Sequence, residues 1–104
     1  MELLFSVATP LGKHIRTTDS YWRDITTFKH PQLKEKLREV ELALIDPDTI
    51  RKSRSDQDVY LHYRSVGGRI LCVVAKYLNG EGYVVTAYFT DKIKEGTKIW
   101  ERKR

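Results

Sequence analysis

At 104 residues, with 40% hydrophobic and 32% charged positions, the chain is the size of one globular domain (1–104) with a modest core, and its composition excludes a disordered polyelectrolyte. No apolar run reaches the roughly 20 residues of a membrane span, the start carries no basic leader, and the single Cys72 excludes internal disulfides and multi-cysteine zinc sites, so a cytoplasmic protein is expected. The net charge of +5 is uneven, summing to 0 over 1–28, −1 over 29–49, +2 over 50–65, +1 over 66–90 and +3 over 91–104, a distribution that suits a polyanionic partner as well as it suits solubility.

"LLFSVATP" reads as a short strand and "KHIRTT", after the Gly12 turn, as its partner. In "TTDSYWRDITTFKH" either Asp19 or Ser20 can cap a helix whose apolar residues Trp22, Ile25 and Phe28 recur every three positions. "HPQLKEKLREVELALIDPD" follows. Leu33, Leu37, Val40 and Leu44 form one stripe, Pro31 suits the first helical position because its missing N–H would be unpaired there, and "DPD" stops the helix. Beyond it the period becomes two. "TIRKSRS", "DVYLHYRS", "GRILCVVAKYL" and "GYVVTAYFT" read as four strands, the last three separated by the turn signals "VGG" and "NGEG". The expected architecture is α+β, with two N-terminal helices packed on a four-stranded antiparallel sheet.

Alternation then assigns faces. Tyr83, Val85, Ala87 and Phe89 should meet the helices, leaving Val84, Thr86, Tyr88 and Thr90 on the open side. In the preceding strand Val59, Leu61 and Tyr63 should be inward, and Tyr60, His62 and Arg64 outward. An open face of Tyr, His, Arg and Thr suits single-stranded nucleic acid, which is held by cations on phosphate and aromatic rings on bases. Arg51, Lys52 and Arg54, interleaved with Ser53 and Ser55, offer a phosphate clamp beside it, because guanidinium groups bind phosphate bidentately. Lys76, in the next strand, adds a cation.

The order of pieces from His30 to Thr90 carries a resemblance. His-Pro before a helix, a Pro-Asp helix end, Ile-x-x-Ser-Arg, a Tyr-rich strand and a final Thr-Ala-Tyr strand together resemble phage-associated members of the barnase–EndoU–colicin–RelE superfamily of small RNases. The resemblance implies a barnase/RelE-like fold whose sheet binds RNA, and metal-independent cleavage by attack of the ribose 2′-hydroxyl on the adjacent phosphate. It carries the motif positions His30, Ser53, Arg54, Tyr63, Thr86 and Tyr88, and so turns Tyr63 toward RNA where alternation turns it inward.

The chemistry constrains the roles. Transesterification needs a base for the 2′-proton, an acid for the leaving 5′-oxygen and positive charge for the phosphorane. His30, Arg54, Thr86 and Tyr88 are the catalytic candidates: histidine for proton transfer, Arg54 for charge, the two hydroxyls for phosphate. Arg51, Lys52, Ser53, Tyr60, His62, Tyr63, Arg64 and Lys76 are the expected RNA contacts. The three scattered histidines and lone cysteine predict no metal site and no cofactor, and Cys72 in "ILCVVA" reads as an inert core residue. A toxin of this kind would meet an acidic antitoxin or immunity protein. The competing reading is a non-catalytic RNA-binding or protein-interaction module built from the same Arg and Tyr residues.

Overall fold

The computed structural model describes residues 2–93 and 96–103. Among them, β1 (Leu3–Ala8), β2 (His14–Thr18), β3 (Thr49–Lys52), β4 (Val59–Val66), β5 (Arg69–Tyr77), β6 (Glu81–Thr90) and β7 (Thr97–Glu101) form one sheet in the order β1-β2-β6-β5-β4-β3-β7. This corrects the expected four-stranded antiparallel sheet. The sheet has seven strands and is mixed, because β2 joins the free edge of β6 in parallel through His14↔Glu81, Ile15↔Gly82 and Arg16↔Tyr83. At the other side, β7 pairs antiparallel with β3, where the Thr49 hydroxyl donates to the Trp100 carbonyl at 2.8 Å. The antiparallel run β3 to β6 lies inside this larger sheet.

The helices are also shorter than expected. Thr18, in extended conformation, caps α1 (Asp19–Asp24) by accepting the Tyr21 N–H, one residue before the expected cap. The chain then widens into a π turn over Ile25–Lys29, closed by the His30 N–H on the Ile25 carbonyl at 2.7 Å. That wider turn takes Phe28 off the face shared by Trp22 and Ile25. Both of those are buried, whereas Phe28 is 81% exposed. Pro31–Leu33 is a single 3-10 turn, and α2 (Leu37–Ile45) begins only after Lys36 leaves helical geometry. Leu33, Val40 and Leu44 still share one core, because a turn-and-restart keeps their side chains on the same side. α2 ends at Asp46, where the following proline disfavours helical backbone. Arg64 and Arg102 then tie down Asp46, and Arg102 also pairs with Asp48.

α2 lies on β1, β4 and β5, and the main core fills the space between. Cross-strand partners project to the same face, so the register decides which residues enter it. His62 stands opposite Val73 and Tyr60 opposite Ala75, so the even residues of β4 face α2. Leu61 and Tyr63 face the other way. This reverses the expected faces of β4. The reason is that both faces of β4 are covered: Leu61, Tyr63 and Cys72 form a second buried cluster with Ile93.

Ile93 belongs to the connection from β6 to β7, two strands that lie on opposite sides of β5, β4 and β3. Gly96 ends that connection, buried against Lys52, Arg51 and Leu61 at φ +85. A methyl there would lie 2.7 Å from the Lys52 carbonyl oxygen, in a backbone region that L-residues avoid. Gly96→Ala should therefore cost about 2 kcal/mol. A denaturant titration checks this, and an unchanged midpoint would mean that Gly96 does not anchor the connection.

Candidate active site

A bulge in β6 sets the geometry of the site. Val84 pairs with Ala75 and Thr86 with Val74, which leaves Val85 as the extra residue. The bulge corrects half of the expected alternation. Val84 is fully buried toward the helices and Tyr83 turns outward at 37% exposure, while Thr86, Tyr88 and Thr90 stay on the open side and Ala87 and Phe89 face the core. The Val85 carbonyl receives the Tyr21 hydroxyl at 3.1 Å, so α1 shields the β6 edge beyond the end of β2 pairing.

The open face is split in two. Over β3 and β4 it is closed, with Leu61 buried beside Gly96 and Tyr63 only 1% exposed in the cluster that Ile93 joins. Over β5 and β6, Lys76, Thr86, Tyr88 and Thr90 remain partly accessible and Tyr83 is exposed. His30 stands at the margin of this accessible strip. The turn between the π segment and Pro31 holds its backbone at φ −141 and ψ 76, and its ring lies 6.1 Å from that of Tyr88 with a 37° tilt. Its side chain makes no capping hydrogen bond. Two residues from Tyr88, the Thr86 hydroxyl is buried without a hydrogen-bond partner. His30 and Tyr88 are thus brought together, with Thr86 two residues along β6, although the turn and the strand that carry them are far apart in sequence.

The other expected contacts are scattered. Arg54 sits in the β3–β4 connection, three strands from Tyr88, roughly 14 Å across the sheet at least. It is exposed and donates to the Thr97 hydroxyl at 3.4 Å. Arg51 reaches the Gly96 carbonyl at 3.3 Å, and Lys52 stands opposite Tyr60 on the other face, so the three cations do not converge. The Ser53 hydroxyl accepts from the Ser55 and Asp56 backbone N–H groups, folding the loop onto itself. Arg64 is engaged by Asp46, and Tyr60 stacks on Tyr77 at 4.3 Å inside the core. Of the expected RNA contacts, Lys76 is the one on the accessible strip, opposite Tyr83.

His62 is corrected outright, because it is 0% exposed. Its Nδ1 meets the Val73 carbonyl at 3.0 Å and its Nε2 meets the Tyr77 hydroxyl at 2.6 Å. A carbonyl can only accept, so Nδ1 carries the proton and Nε2 accepts from Tyr77. The Tyr77 hydroxyl also lies 3.1 Å from the Thr9 hydroxyl, which joins Thr9 to the same buried network. Burial pushes His62 down to about 4, partly offset by the Val73 hydrogen bond, and pushes Tyr77 up to about 12. Both groups are neutral structural parts of the core.

Sequence reasoning did not find the cleft beside the strip. It is lined by Arg16, Thr17, Tyr21, Asp24 and Tyr83, and forms where β2 leaves β6. Its signal was hidden, because it depends on the parallel β2–β6 pairing and on the bulge. The chain matches no protein-family model, no curated protein and no solved structure.

Proposed function

We propose that this protein is a metal-independent endoribonuclease, cleaving RNA by attack of a ribose 2′-hydroxyl on the neighbouring phosphate. The observation that carries the reading is the meeting of His30 and Tyr88 at the accessible strip. His30 takes the 2′-proton as the 2′-oxygen attacks phosphorus and gives it to the 5′-oxygen as the P–O5′ bond breaks. Tyr88 donates to a phosphate oxygen, where negative charge grows in the transition state, and Thr86 stands behind it on the same face of β6 with its hydroxyl buried. Lys76, across the β5–β6 pair, supplies positive charge. Arg54, on the far side of the sheet, is too distant to act on the same phosphate.

Lys76 is the cation that the strip itself offers to phosphate. An acidic antitoxin or immunity protein would act by covering this strip. Incubation with mixed RNA in EDTA tests the reading. It should yield fragments ending in 2′,3′-cyclic phosphate, and Tyr88→Phe should slow their appearance with an unchanged melting temperature. Retained RNA binding with no fragments would leave a non-catalytic binding module in its place.

A further inference from the structure

The two outermost strands of the sheet differ in chemistry. β7 carries Lys98 and Glu101 and runs into Arg102 and Lys103, the kind of charge that keeps an edge strand from pairing further. β1, at the opposite edge, reads LLFSVA, with no charged residue and no proline. That is an unguarded edge in a chain of which 32% is charged. Leu3 is 57% exposed on it, and Ser6 and Ala8 are exposed as well.

The ladder between β1 and β2 fixes what this edge offers. The Thr9 N–H donates to the Lys13 carbonyl at 2.8 Å, so Thr9 turns its backbone toward β2. Bonded and unbonded positions alternate in an antiparallel pair, so Val7 and Phe5, opposite Ile15 and Thr17, do the same. Ser6 and Ala8 therefore present their N–H and C=O groups to the free edge. His14, opposite Ala8, obeys the same alternation: its N–H points away from β1, to the Gly80 carbonyl at 3.4 Å. The register shift between Leu3 and Phe5 lies at one end and leaves residues 5–8 regular.

We infer that β1 pairs antiparallel with β1 of a second copy of this chain, about a two-fold axis at Val7, joining the two sheets into one. The edge is then self-complementary, as a two-fold interface requires. Ser6 of each copy faces Ala8 of the other, and their outward N–H and C=O groups bond across the axis. Val7, half-buried at the margin of the core, packs on Val7 of the other copy. Charge selects this occupant. Two chains of net charge +5 repel each other unless their contact is neutral or complementary. β1 itself is neutral. Glu2 precedes it at one end and Lys13 lies in the hairpin at the other, and neither forms an ion pair among the described residues. Antiparallel pairing brings each Glu2 toward the Lys13 of the other copy, whereas an acidic foreign strand would meet no cation along β1. The axis stands normal to the sheet, so both accessible strips face the same side, roughly 24 Å apart from β6 to β6.

Sedimentation equilibrium of the whole protein, with amide exchange followed at rising concentration, tests the inference. A dimer should accumulate between roughly 10 μM and 1 mM chain, as suits an interface below standard size. The Ser6 and Ala8 amides should gain protection with it, more than the Val7 amide, which already faces β2. Ser6→Lys sets a cation on an exposed position, and should weaken the dimer about tenfold or more at an unchanged melting temperature. Mixing Ser6→Lys with Ala8→Glu should restore dimers as mixed pairs, because position 6 of one copy faces position 8 of the other. A monomer at every concentration would overturn the inference. So would a dimer whose protection lies away from β1, or one that Ser6→Lys leaves undiminished.

Discussion

Replacing His30 by Asn should lower RNA cleavage by about 10²–10⁴-fold while leaving the fold as stable as before. The imidazole is placed 6.1 Å from the Tyr88 ring without capping the turn it precedes, so the structure does not use its polarity. Asparagine is a better residue for that position, because its side-chain oxygen can accept an N–H from the Pro31–Leu33 turn, and stability should hold or rise by up to about 1 kcal/mol. It cannot carry a proton between the 2′- and 5′-oxygens near neutral pH. The wild-type rate should therefore show a pH-dependent limb that the variant lacks. Melting curves and pH–rate profiles of the two proteins separate catalysis from packing. Full activity in His30→Asn would remove this histidine from the mechanism.

Acid should weaken the fold through His62, by about 3 kcal/mol in total. The unfolded chain binds a proton at the ordinary histidine value of 6.5, whereas the folded protein does so only near 4. Between those values the unfolded state holds more protons, so stability is fully present above about pH 6.5 and is lost as pH falls toward 4. Each unit of that gap is worth about 1.4 kcal/mol. Glutamine can donate to the Val73 carbonyl and accept from Tyr77 without titrating. His62→Gln should thus be somewhat less stable at pH 7, yet lose less stability than wild type on acidification. Carboxylates contribute equally to both proteins and drop out of the comparison. Parallel acid slopes in urea titrations would mean that His62 is not neutral in the fold.

The sequence was most legible where one face of an element alone is buried. The β1–β2 hairpin and the strands β3 to β6 lie in the segments their two-residue periods and turns indicate. Periodicity misled for β4, because the second cluster under Ile93 makes both faces apolar and His62 hides its polarity in hydrogen bonds to Val73 and Tyr77. It misled for Tyr83 and Val84 because a bulge adds a residue that alternation cannot see. The start of α2 was misplaced since Leu33 and Leu37 sit four apart whether the chain is helical throughout or breaks at Lys36. β7 carries charged and apolar residues without a clear period, and β2 meets β6 through only three residue pairs. The larger sheet is therefore a non-local result. Within the site, the resemblance pointed to His30 and Tyr88, which the fold brings together with Thr86 two residues along β6, and also to Arg54 and Ser53, which lie at the far side of the sheet.

The most direct measurement uses an oligoribonucleotide in which the linkage cut most strongly is altered by a single 2′-deoxy substitution on its 5′ side. If the ribose hydroxyl is the nucleophile, cleavage at that linkage should stop while the other sites are cut at their former rates. Undiminished cleavage there would mean that water or a protein group attacks the phosphate, and the mechanism built on His30 and Tyr88 would be wrong.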